Sequence, residues 1–290
     1  MSGAASHDDG AGSPRREHRA GRDRRFFVGL ARACAGALIF GLPMLMTMEM
    51  WEIGSYLDPW RLAALLLVTV PLLTGLSAIG GFRPTEALRD DVADAFVAIA
   101  VAAVISAAVL AVFGVLTPGM PANEAIGKVA LQVFPAGVGA MLARDQLSAG
   151  DDERDRDRRP RGYGGELFLM AVGALFLGLN VAPTEEMVLL AYTMQPWQEV
   201  ALALLSLALM LAFVYAVESA GGWRPRPGAT FWGLFLHSAV AGYAVVLLIS
   251  FYLLWTFGRT DGTGFAATVS ACVVLGFPCA IGAASARLIL

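Results

Sequence analysis

The strongest constraint on this chain is the spacing of its apolar residues. They fall into blocks of about 20, the length that crosses ~30 Å of hydrocarbon at ~1.5 Å per residue. Eight blocks can be drawn, at 26–48, 61–79, 92–116, 125–143, 165–183, 197–217, 231–257 and 265–286. Backbone groups in lipid have no water to bond, so each block must satisfy its own as a helix. The expected fold class is therefore an all-α membrane protein of about eight transmembrane helices. Composition agrees: of 290 residues, 57% are hydrophobic and only 16% charged, with a mean hydropathy of +0.63. Pro43, Pro71, Pro135 and Pro278 lie inside blocks, where neighbouring helices can satisfy the backbone groups they free.

Orientation follows from where the basic residues fall. With the N-terminus in the cytoplasm, 18 of the 21 Lys and Arg residues lie on that side, leaving Arg61, Lys128 and Arg259 outside. The expected topology is multi-pass with both termini cytoplasmic. Trp51, Tyr56, Trp60, Tyr192 and Trp197 gather at the outer ends as an aromatic belt. A signal peptide is not expected, because the first apolar block is too long and runs on into the body of the protein.

The chain also repeats itself. Residues 36–60 (GALIFGLPMLMTMEMWEIGSYLDPW) align without a gap on 173–197 (GALFLGLNVAPTEEMVLLAYTMQPW), with ten identities in 25 positions. Among them are Gly36/Gly173, Gly41/Gly178, Thr47/Thr184, Glu49/Glu186 and Trp60/Trp197. Further on, the run Gly80 to Pro84 matches Gly221 to Pro225, Phe134-Pro135 matches Phe277-Pro278, Gly139 matches Gly282, and Arg144 matches Arg287. Four spans per copy would leave both copies facing the same way, as two parallel four-helix repeats about an axis along the membrane normal. The expected division is a disordered cytoplasmic tail at 1–25, a first repeat at 26–144, a charged cytoplasmic linker at 145–163 and a second repeat at 164–290. Tail and linker are charged and poor in aromatics, the composition of solvated chain.

The stretch Asn180-Val181-Ala182-Pro183-Thr184-Glu185-Glu186, set after an apolar span, resembles the motif of an uncharacterised bacterial family of integral membrane proteins, a domain of unknown function with eight spans. The similarity in length and layout extends over roughly 26–287. It implies location in the bacterial plasma membrane and supplies no activity.

Several groups are candidates for chemistry. Glu49 and Glu186 each follow a threonine by two residues, Thr47 and Thr184, just beyond the outer ends of spans one and five. Across a twofold axis they would form paired acids, joined by Glu185, that draw cations to an outer vestibule. The plainer reading is a helix start, with Thr184 capping and the acids favoured by the dipole. The segments after these acids are too short to span and read as re-entrant or interfacial half-helices. Asn180 stands where the first copy has Pro43. Asp94 and His237 fall at matching depths in spans three and seven and suggest a proton relay, since ionisable groups inside a membrane are functional candidates; Asp90, Asp91 and Asp94 read equally as a helix-start cluster. Lys128, the only lysine, is expected to snorkel.

Other classes are disfavoured. A net charge of −3 does not suggest nucleic acid. The three cysteines, Cys34, Cys272 and Cys279, lie in apolar segments with no metal-ligand spacing, and two of the three histidines are in the tail. No enzyme or cofactor fingerprint occurs, so neither catalysis, a metal nor a cofactor is expected. The leading expectation is a channel or secondary transporter for a small cation or protons, with a pathway between the repeats. The alternative is a scaffold or sensor that binds a partner or lipid through its Arg-rich segments. Beyond the lipid bilayer itself no partner is implied, and a homo-oligomer is neither indicated nor excluded.

Overall fold

The computed structural model describes residues 14–80, 88–146, 162–219 and 239–289. All ten helices among them, with no strand, give the expected all-α class: α1 (Pro14–Leu45), α2 (Met48–Tyr56), α3 (Pro59–Gly80), α4 (Leu88–Val112), α5 (Ala122–Gln146), α6 (Tyr163–Val181), α7 (Glu185–Thr193), α8 (Pro196–Ser219), α9 (Ala241–Thr256) and α10 (Phe265–Ile289). Seven of them (α1, α3, α4, α5, α6, α8 and α10) are long and apolar enough to cross a membrane. The eighth expected block, 231–257, is represented by α9, which at 16 residues is short for a crossing. Residues 231–238 of that block lie outside the described residues, as do 147–161 of the linker, His237, and most of the Gly-Gly-aromatic-Arg-Pro matches.

The start of the chain departs from expectation. Residues 14–25 belong to α1 rather than to a disordered tail. Composition alone argued for solvated coil. A helix already nucleated by an apolar span, however, adds a hydrogen bond for each further residue it fixes, and Arg, Glu and Ala favour that extension.

Breaks between the helices follow from local chemistry. Pro43 in the last turn of α1 and Pro183 just beyond α6 both stop the ladder. Pro59 and Pro196 open α3 and α8, where a missing N–H costs nothing. Asp58 caps α3 by accepting from the Trp60 N–H at 3.0 Å. At α8 the Gln198 side chain reaches back to accept from the Gln195 N–H at 2.7 Å, half of a capping box.

Packing centres on α5 and α10. In the first half α5 touches α1, α2, α3 and α4, and α4 also touches α1 and α3. In the second, α10 touches α6, α7, α8 and α9, and α9 touches α6 and α8. The closest approaches involve the glycines paired in the alignment. A Cβ on Gly36 would overlap the Gly139 carbonyl, and one on Gly173 would overlap the Gly282 carbonyl. One turn and a half further, Gly41 lies over Ala136 and Gly178 over Cys279. Without a hydrophobic drive between helices in lipid, such close backbone contact is what holds them. Among the contacts between the halves, Phe40 meets Phe176 edge-on at 5.7 Å, and Gly75 lies against the Phe168 ring.

Candidate functional site

The groups worth examining collect at the end of the bundle that carries α2 and α7. Both are nine-residue helices following a break in the chain, as the half-helix reading anticipated. Thr47 and Thr184 do occupy their N-cap positions with extended backbones. Neither hydroxyl caps, however. Thr47 donates back to the Pro43 carbonyl at 2.7 Å and Thr184 to the Val181 carbonyl at 2.8 Å. The last carbonyls of a helix have no N–H four residues on within the helix, which leaves them open to a threonine hydroxyl reaching back. Trp51 seals the same elbow, its indole N–H donating to the Leu45 carbonyl at 2.9 Å.

The six vestibule residues are not brought together as one cluster. Glu49 is half-buried on α2, which packs on α5, whereas Glu185 and Glu186 are exposed on α7, which packs on α10. Asn180 is turned to its own helix, donating to the Phe176 carbonyl at 2.7 Å. Asp94 is half-buried on α4, and with His237 outside the described residues the relay pairing has no second member to place. One turn before Asp94, Asp91 is buried and accepts from the Ser77 hydroxyl at 3.0 Å.

The three basic residues at this end are each tied down. Arg61 on α3 reaches the second half, donating to Asp261 at 2.8 Å, with its guanidinium 5.4 Å from the Trp255 ring centroid. Trp60 meets Trp255 edge-on at 4.8 Å, so a small polar and aromatic clasp joins the halves here. Arg259 donates to the Pro183 carbonyl. Its position depends on Gly258, whose φ of 72° ends α9 in the left-handed conformation while the Arg259 N–H bonds back to the Leu254 carbonyl at 2.8 Å. Lys128 does not snorkel free: it is buried and paired with Glu124, one turn earlier on α5, at 2.7 Å. Glu124 also accepts from Ser55 of α2 at 3.2 Å. Gly54 makes this seat possible, since a Cβ there would lie 2.7 Å from the Lys128 Cα.

The Asp261 carboxyl is held below the usual carboxylate range, chiefly by the hydrogen bond from Arg61, against a smaller upward push from burial. A group lowered in the folded state stabilises it above its unfolded pKa, and that contribution disappears as pH falls through the folded value. Asp261→Asn is therefore expected to be less stable than wild type at neutral pH, with the difference closing as pH falls below about 4. Thermal unfolding in detergent across pH 3 to 7 would show it.

One turn inward from Lys128 on the same face of α5 lies Gln132, fully enclosed, and neither end of its amide has a hydrogen-bond partner among the described residues. The contrast with other interior polar groups is sharp. Thr69, Ser206, Ser250 and Thr256 all donate to the carbonyl one turn back on their own helix. Ser106 on α4 is the other enclosed polar side chain on the first half's helices without a partner among the described residues. Composition and matched repeats could not reveal Gln132 or Glu124. The signal available was spacing: Glu124, Lys128 and Gln132 recur every four residues, one stripe of a helix.

No curated protein and no solved structure matches the chain. A family model does, over residues 29–290, with the description "Putative integral membrane protein (DUF2391)". The match takes in α1 from Gly29 onward and every later membrane-length helix, and the chain belongs to this family of integral membrane proteins.

Proposed function

We propose that the protein carries protons or a small cation across the bacterial plasma membrane, rather than catalysing a reaction, and that both termini are cytoplasmic. The observation that carries this reading is the stripe on α5. It runs from Glu124, which accepts from Ser55 of α2 at the end of the bundle, through Lys128, to the enclosed amide of Gln132, which has no partner among the described residues. Ionisable groups set among apolar helices face interiors and mark ion or proton routes. A buried amide lacking both partners implies something polar that visits it, a water or an ion.

The reading moves the expected route. Between the halves the Phe40–Phe176 and Gly75–Phe168 contacts leave apolar, close-fitted surfaces. Beneath the α1–α2 elbow the apolar interior carries the Lys128–Glu124 pair and the Gln132 amide instead. Two copies of one four-helix unit facing the same way remain the best account of the matched glycine contacts, and a route inside one copy is compatible with that ancestry. Glu49 and Glu186 are then surface acids that raise the local cation concentration rather than ligands in the path.

The test is flux in liposomes containing the purified protein and a pH-sensitive dye, under an imposed pH gradient or potassium diffusion potential. Wild type is expected to dissipate the gradient, and Glu124→Gln/Lys128→Met to fall to the level of empty vesicles. Glu49→Gln/Glu186→Gln should slow the flux without abolishing it. No wild-type flux in correctly reconstituted vesicles would remove transport and leave the scaffold or sensor reading.

A further inference from the structure

We propose that the second half holds a binding site for a zwitterionic phosphoamine headgroup, the ethanolamine phosphate of a membrane lipid, in the cleft between α7 and α10. Two adjoining spaces form it. A cavity of about 210 Å³ is bordered by Val188, Ala191, Tyr192, Arg259, Thr263 and Ala271. An open groove along Glu185, Glu186 and Leu189 continues from it and shares Val188, Tyr192 and Arg259.

The cavity is not a defect common to the two halves. In the alignment, Ala191 and Tyr192 match Gly54 and Ser55, while Ala267 and Ala271 match Glu124 and Lys128. In the first half Gly54 sits directly on the Lys128 backbone, and the Lys128–Glu124 pair closes over Ser55. In the second half a methyl group holds α7 away from α10, and the two long charged side chains have become alanines. What was floor becomes space. A cation is still supplied, now by Arg259 from the loop after α9.

Arg259 sets the anionic end of the ligand. One guanidinium nitrogen is fixed on the Pro183 carbonyl, while Nε is enclosed without an acceptor among the described residues. The Arg259 side chain borders both spaces, and the guanidinium fork matches phosphate oxygens. Glu185 and Glu186, exposed along the groove with no ion pair among the described residues, set the cationic end. Val188, Ala267 and Ala271 supply an apolar wall for the glycerol backbone. Leu189, Leu190 and Tyr192 are 63%, 53% and 65% exposed, so on the membrane reading this rim faces lipid and the ligand arrives sideways. Phosphate, ammonium and an adjoining apolar stem describe one headgroup class.

Native mass spectrometry of the full chain, released from detergent after incubation with one phospholipid at a time, tests the site. Phosphatidylethanolamine adducts are expected to exceed phosphatidylglycerol adducts by about tenfold. Glu185→Gln/Glu186→Gln, a surface change, should erase that preference while leaving both lipids bound. Ala271→Leu, which fills the cavity, should remove both adducts from protein that still unfolds cooperatively. Soluble phosphoethanolamine at millimolar concentration separates the sources: displacement of the lipid shows that the headgroup alone is recognised, and failure to displace shows that the site takes it from the bilayer. Equal wild-type adducts with the two lipids, or an undiminished ethanolamine preference in the glutamine or leucine variants, would overturn the proposal.

Discussion

Alanine at Gly36 or at Gly173 is expected to cost about 3 kcal/mol or more, at the upper end of overpacking effects, and to leave little cooperatively unfolding protein when both are changed. The added methyl group meets the carbonyl of Gly139 in one case and of Gly282 in the other. Main-chain atoms cannot move aside as the tip of a side chain can, so α1 and α5, or α6 and α10, must separate. Separation forfeits dispersion contacts along the whole crossing, which in lipid are the main source of helix association. Gly29→Ala is the control. It lies earlier on α1 with nothing within 4 Å of the new carbon, and should gain up to about 1 kcal/mol from helix propensity. Thermal unfolding in detergent, followed by loss of helical signal, compares the three. A Gly36→Ala protein as stable as Gly29→Ala would mean that the close crossing does not exist.

Gln132→Leu is expected to do two opposite things: stabilise the protein and stop the flux. Removing an enclosed amide whose oxygen and nitrogen both lack partners among the described residues recovers about 1–3 kcal/mol. Leucine is of similar volume and already occupies the matched position, Leu275, which is also fully buried. The same change removes the only fully buried side-chain amide among the described residues of α5. A stability gain with unchanged flux would free Gln132 from the mechanism. A stability loss would show that the amide is satisfied in the membrane, for instance by a resident water.

Much of this architecture was readable beforehand, for identifiable reasons. Apolar blocks long enough to cross a bilayer have few alternatives, which is why α3, α4, α5, α6, α8 and α10 fall where the hydropathy placed them. The half-helices were legible because Pro43 and Pro183 stop a helix and Pro59 and Pro196 start one, leaving room for little between. The matched glycines fall at the crossings because a residue without a side chain lets two helix backbones meet. The chemistry was harder to see. Glu49 and Glu186 drew notice because they align, yet alignment does not bring side chains together, and their helices pack on different partners. Thr184 looked like a cap because sequence shows the N–H groups ahead of it and hides the carbonyls behind. Gln132 and the Lys128–Glu124 pair escaped because they occur in one half only, and a search for pairs discards singletons. The length of α1 was underestimated because a tail was judged apart from the helix it extends.

The brevity of α2 and α7 bears on how the chain is made. Nine residues are too few to be threaded across the bilayer by the translocation machinery on their own account. The surface on which α2 comes to rest belongs to α5, which leaves the ribosome only after two further helices, and the same delay separates α7 from α10. Each short helix is thus a late arrival, lodged at the membrane surface during synthesis and seated once its landing place has been threaded. Biogenesis in this protein should have a final step that changes no topology, and a ribosome stalled before α5 would hold a nascent chain with the right number of crossings and an unseated elbow.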